Sequence, residues 1–175
     1  LVRRYLQYFF VDDDNYRVFE PYLNDLYLQH LFAETKILSG QGEPTQWYSM
    51  LPPDRYQRLK DRVDLEFVRT NPKHFGADVD VTINVDIKNV PNLIVKVYRI
   101  NALNYYRDRS REVDTAINLD GLIPNQELSF QYSEPPLRRV RRQFKLPSLK
   151  KPGLYVVDFI GNGKNSRALL QKGKL

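Results

Sequence analysis

The sequence predicts a mainly β chain, with a seven-stranded antiparallel β-sandwich over residues 62–175 and an N-terminal helical subdomain over residues 1–61. Three observations carry this. Apolar residues recur at a spacing near 3.6 between Phe19 and Leu38. They alternate strictly with polar ones from Val79 to Lys88. Charge divides the same way: residues 1–75 carry 10 basic and 11 acidic side chains, the remaining hundred 17 and 10, so the net +6 lies in the second part.

In the first part, Val2 to Phe10 fits a helix stopped by Asp12-Asp13-Asp14. The long helix is expected to open at Glu20-Pro21, since proline tolerates a first helical turn, and to close at Gly40 with a left-handed cap. Gly40 to Pro44 reads as a loop. A shorter helix fits Pro53 to about Arg62, with Tyr56 and Leu59 inward.

The strands follow in order. Val63–Val68 is the first. Val79–Ile87 is half-buried with one wet face. The turn Asn89-Val-Pro-Asn92 leads into a more buried strand through Val97. Leu128–Tyr132 and Val140–Leu146 alternate. Leu154–Phe159 is nearly continuous in apolar character, and Gly161-Asn162-Gly163 is a hairpin signal before Ser166–Leu170.

Composition sets limits. The chain has no cysteine, which excludes a disulfide scaffold, a Cys-ligated zinc and a Cys nucleophile. No apolar run reaches the roughly 18 residues of a membrane span. With no initiator methionine and no signal peptide, the chain reads as a piece of something longer.

Candidate chemistry is sparse. His30 lies on the apolar face of the long helix and reads as a core residue; His74 lies in a loop; neither has a second histidine at i+4, and HExxH is absent. Asp12-Asp13-Asp14-Asn15 fails the EF-hand pattern, because Arg17 and Leu23 hold the sixth and twelfth places. Gly161-Asn-Gly163-Lys164 joins two strands and lacks the spacing of a phosphate loop. No GxSxG occurs and no carboxylate pair is marked. No enzyme, metal or cofactor is therefore expected.

Two surface candidates remain. Arg138, Arg139, Arg141 and Arg142 form an anion or partner patch, or an edge strand guarded by charge against edge pairing. The edge reading is preferred, since no aromatic stacking platform accompanies the arginines and nucleic acid is an unlikely partner. Arg142 shares its phase with Val140 and Phe144, so it is expected to snorkel or to pair with an acid such as Asp158. Tyr22, Trp47 and Tyr48, with Tyr5, Tyr8, Phe9, Phe10 and Tyr16, make either an aromatic seam packed between elements or a groove for a glycan or peptide.

Arg142-Gln-Phe-Lys-Leu-Pro147, Lys151-Pro152-Gly153-Leu-Tyr155-Val-Val157 and Val79–Asn101 resemble the macroglobulin-type domains of large bacterial alpha-2-macroglobulin-like proteins. Trp47-Tyr-Ser-Met-Leu-Pro-Pro53 and Asp120-Gly-Leu122 add to the resemblance. Pro152-Gly153 turns the chain, and Tyr155 then enters a buried strand with a hydroxyl that needs a partner, in the manner of a tyrosine corner. The resemblance implies a fibronectin-III-like sandwich, one structural or interaction module of a multidomain chain. Its partners would be neighbouring domains and other proteins. Export or a cell-envelope location, and protease inhibition by the parent, follow from the resemblance only. The family's thioester requires the cysteine that this chain lacks, and its domains lack the helical leader.

Overall fold

The structure is a computed structural model and describes residues 2–174. Helices α1 (Val2–Phe10), α2 (Asp25–Ser39), α3 (Pro44–Ser49) and α4 (Pro53–Asp61) come first, with a 3₁₀ turn at Arg17–Phe19. Then follow β1 (Asp64–Phe67), β2 (His74–Phe75), β3 (Thr82–Lys88), β4 (Asn92–Ile100), α5 (Ala102–Arg109), β5 (Gln126–Gln131), β6 (Arg139–Lys145), β7 (Gly153–Gly161) and β8 (Lys164–Lys172). The chain forms two compact units. One contains the residues up to Arg62 together with Glu134–Val140; the other contains Val63–Ser133 and the residues from Arg141 onward.

The helical unit is built around α2. This helix starts at Asp25, not at the expected Glu20-Pro21. Asn24 is the reason: its side chain accepts the Tyr27 N–H at 3.1 Å, a cap that proline cannot supply. Gly40 closes the helix as expected, at φ 66°, with its N–H donating to the Lys36 and Ile37 carbonyls. A methyl group at Gly40 would overlap the guanidinium of Arg138, which rests on this carboxyl end where a cation is favoured. Phe32 lies at the centre of the core, edge-to-face with Phe10 at 5.3 Å and with Trp47 at 5.6 Å. Trp47 brings the Gly40–Pro44 loop in, because its Nε1–H donates to the Gln41 carbonyl at 2.8 Å. The short helix α3 was not expected from the sequence; it has a proline at its start, but six residues are too few for a helical period to show.

The β unit has two sheets, ordered β1-β3-β6 and β2-β8-β7-β4-β5. It is mainly β, with eight strands among the described residues in place of the expected seven. The additional β2 pairs in parallel with β8, so the larger sheet is mixed rather than purely antiparallel. Two residues carry no alternation, which is why the sequence did not announce β2. The alternation along β3 is realised: Ile83, Val85 and Ile87 are buried, while Thr82, Asn84 and Asp86 are partly exposed. Val95, Val97, Val157 and Phe159 face them in the core. Phe159 makes edge-on contacts with Phe67 at 5.2 Å and Phe144 at 5.0 Å.

β7 is buried on both faces, as its continuous apolar run implies. Its other face supplies Leu154 and Val156 to a second cluster with Tyr98, Val113, Ile117 and Leu119. That cluster seats the segment after α5, a helix that the sequence did not reveal because no residue in it is buried. The β7–β8 hairpin turns on Asn162 and Gly163, both with positive φ, the geometry a two-residue turn of this kind demands.

Candidate interaction surfaces

The expected arginine patch does not present four side chains together. Arg138 packs on Gly40. Arg141 donates twice to Asp86, at 2.7 and 3.0 Å, and this hydrogen bonding holds its guanidinium above the ordinary pKa. Arg142 stacks over the ring of Tyr132 with 3.9 Å to the centroid. This corrects the expected pairing of Arg142 with Asp158: that carboxylate accepts from Arg167 at 3.0 Å. Arg139 and Arg142 are each partly buried and engaged within the fold. β6 lies at the edge of its sheet, the place where long charged side chains discourage further pairing.

The aromatic groove is not assembled either. Trp47 is buried, and Tyr48 meets Tyr56 edge-on at 4.9 Å. Tyr22 is 81% exposed, on the turn after the 3₁₀ segment, and belongs to no core cluster. Burial, with Tyr56 beside it, raises the Tyr48 hydroxyl pKa; burial and Asp25 do the same at Tyr16.

What the helical unit does expose is one side of α1. Leu6 and Phe10, four apart, turn into the core. Tyr5 at 62% and Tyr8 at 76% exposure face outward, with Phe9 at 37%. Tyr5 and Tyr8 each meet Phe9, with ring centroids at 4.8 and 5.4 Å. The three rings thus form one continuous aromatic surface, pre-packed by their own edge contacts. Val18 and Leu26 are further exposed apolar residues of this unit that the sequence did not single out, since each sits in an ordinary apolar pattern.

Behind α1 lies a polar chain centred on the buried Glu34. Glu34 accepts from Arg3 and, at 2.6 Å, from Arg55 Nε. Arg55 also donates to His30 Nδ1 at 2.9 Å. Burial, and then the Arg55 charge, push the His30 pKa below its usual value; Glu34 opposes them weakly. A neutral ring is what this bond needs, because an acceptor Nδ1 carries no proton. His30 is the core residue the sequence implied.

In the β unit, Tyr155 acts as expected: its hydroxyl donates to the Lys151 carbonyl at 2.8 Å, four residues upstream. Arg99 donates to the Pro152 carbonyl at 2.9 Å and covers Gly153. These contacts hold the Pro152-Gly153 turn. Among the described residues, no group of three His, Asp or Glu side chains is placed to hold a metal ion. No helix among them is long and apolar enough to cross a membrane.

Residues 1–63 match the family model described as the actin-binding protein F N-terminal domain, and residues 93–173 the model described as the AbpF first immunoglobulin-like domain. Actin-binding protein F of Dictyostelium discoideum is 44% identical over 178 residues, covering 100% of this chain. The chain spans 8% of the length of that relative. A solved structure of Escherichia coli alpha-2-macroglobulin, spanning domains MG0-NIE-MG1, matches 63% of this chain and 39% of its own, at 16% identity and a TM-score of 0.45. The expectation of a specifically bacterial family gives way to a relative from Dictyostelium. In sequence, this chain is similar to the N-terminal domain and the first immunoglobulin-like domain of actin-binding protein F, in that order along the chain.

Proposed function

We propose that this chain is a non-catalytic protein-interaction module that docks a protein partner through Tyr5, Tyr8 and Phe9 on α1. The observation that carries this reading is the exposure of three mutually packed aromatic rings on a helix whose opposite side is core. Rigid aromatic side chains lose little conformational freedom on binding and are enriched among the residues that dominate interface energies. Filamentous actin is the first partner to test, because the relative that matches the whole chain is named as an actin-binding protein. The scaffold role inferred from the macroglobulin resemblance is compatible with this reading; protease inhibition would need parts of a parent chain outside this sequence.

The test is co-sedimentation of the whole chain with filamentous actin, alongside a Tyr5→Ser/Tyr8→Ser/Phe9→Ser variant whose fold is checked by circular dichroism. The expected result is a pelleting wild type and a variant weakened at least about tenfold, the scale of a single hot-spot loss. A wild type that stays in the supernatant at every actin concentration removes actin as the partner. A folded variant that pellets as well as wild type removes the α1 surface.

A further inference from the structure

The larger sheet has an unfinished edge. β7 and β8 are joined by a two-residue turn with Gly161 opposite Lys164. In this ladder the N–H and C=O groups of Ser166, Ala168 and Leu170 point to β7, and those of Arg167, Leu169 and Gln171 point to the other side. Two bonds confirm the phase: the Gln171 N–H donates to the Lys73 carbonyl, and the Gly173 N–H to Phe75, both at 2.8 Å. There β2 covers the edge, but for two residues only. At Arg167 and Leu169 the outward backbone groups have no hydrogen-bond partner among the described residues.

The chain could have continued β2 backward along this edge, and a specific clamp prevents it. Asn71 accepts the Asn84 N–H at 2.8 Å and donates to the Asn84 carbonyl at 2.7 Å, so the segment before β2 is held on β3. Pro72, which would lie beside Leu169 in the parallel register, has no N–H to give. The result is a groove of about 1110 Å³ along β8. One wall is Phe67, Val68 and Ile83, with Arg69 and Lys73 beside them; the other is Leu103, Tyr106 and Val113, with Glu112 and Asp114.

We infer that this groove binds an extended, acidic–apolar peptide segment of a partner protein, which adds a strand to β8 at Arg167 and Leu169. The row of unmet backbone donors and acceptors calls for another backbone. Alternate side chains of an added strand face opposite walls, and both walls are apolar. The charges select the sign. Arg69 and Lys73 are exposed and make no ion pair among the described residues. On the opposite wall, Asp114 already accepts the Ala116 N–H at 2.8 Å and interacts with the charge of Arg111. Of the acids opposite, Asp114 is partly answered and Glu112 makes no ion pair among the described residues, so the wider field decides: residues 76–175 carry 17 basic and 10 acidic side chains, a net positive charge that draws a carboxylate toward Arg69 and Lys73. This site lies in the β unit and does not depend on the α1 surface.

The experiment is amide hydrogen exchange by NMR on the whole chain, with a synthetic peptide of alternating valine and glutamate as the probe. Its valine–lysine counterpart and an N-methylated valine–glutamate peptide serve as controls. At about 1 mM peptide, the expected result is roughly tenfold slower exchange at Arg167 and Leu169. N-methylation should abolish the effect, and an Arg69→Glu/Lys73→Glu variant should prefer the lysine peptide. No slowing at these two amides, or equal slowing by both charged peptides, overturns the inference. Slowing that grows with protein concentration and needs no peptide also overturns it, and assigns the edge to a second copy of this chain.

Discussion

Asp158 and Arg167 stand directly opposite each other on β7 and β8, and the carboxylate accepts the arginine Nε–H at 3.0 Å. The aspartate is almost fully buried, and the arginine also donates to the Ile117 carbonyl at 2.9 Å. One side chain thus ties the ladder to the segment that follows α5. Asp158→Ala would strand a partly buried cation, which typically costs about 3 kcal/mol or more. Urea unfolding should show the lower midpoint; an unchanged midpoint would mean that the pair contributes nothing net. The Asp158→Asn/Arg167→Gln double variant should lose less than the sum of its singles.

His30 should impose a pH dependence on stability. Its pKa in the folded chain is lowered from 6.5 by burial and by Arg55. As pH falls through 6.5 the unfolded chain takes up a proton and the folded chain resists it, so stability declines below that pH and is fully present above it. His30→Gln should flatten this limb of the stability–pH curve. A wild-type stability that rises as the pH drops from 7 to 5 would contradict the assignment.

Removing the Tyr155 hydroxyl should cost about 1 kcal/mol, because the bond to Lys151 is lost while the ring keeps its place. Thermal unfolding of Tyr155→Phe measures this directly. A loss near zero would show that water satisfies the Lys151 carbonyl equally well.

Gly40→Ala should destabilise by at least about 1 kcal/mol, since alanine is strained at φ 66°. Displacing the Arg138 guanidinium adds to the cost. The Gly40→Ala/Arg138→Ala double variant separates the two contributions: recovery toward wild type identifies the overlap, and no recovery identifies the backbone.

The pair of Arg141 and Asp86 should matter little despite its two hydrogen bonds, because the arginine is mostly exposed and solvent competes for its guanidinium. A double-mutant cycle should give less than about 1 kcal/mol, and less again at high salt.

Sequence pattern revealed those elements whose physics is local. Strand β3 is visible because one face is wet and one is dry, and the β7–β8 hairpin because Asn162-Gly163 suits its turn. Tyr155 was legible because a buried hydroxyl must find an acceptor. The start of α2 was misplaced because Pro21 and Asn24 both carry start signals and only the second one forms a cap. For Arg142 the sequence left open snorkelling or an acid such as Asp158, whereas the fold sets it over the ring of Tyr132, just after β5, a contact between distant segments that no local pattern shows. The groove could not be read at all, since it exists where Asn71 bonds to Asn84 instead of following β8, and nothing in the local sequence announces that choice.

Residues 134–140 have a consequence for anyone who divides this chain. The polypeptide leaves the helical unit after Arg62 and re-enters it at Glu134, where Leu137 packs into the helical core, before leaving again after Val140. Neither unit is therefore one uninterrupted stretch of polypeptide. A fragment ending at residue 62 would lack Leu137, and also the Arg138 that rests on Gly40. The remaining fragment would carry a hydrophobic loop with its socket removed. Limited proteolysis at the 62/63 junction should thus yield two nicked pieces that stay associated under native conditions and separate only in denaturant.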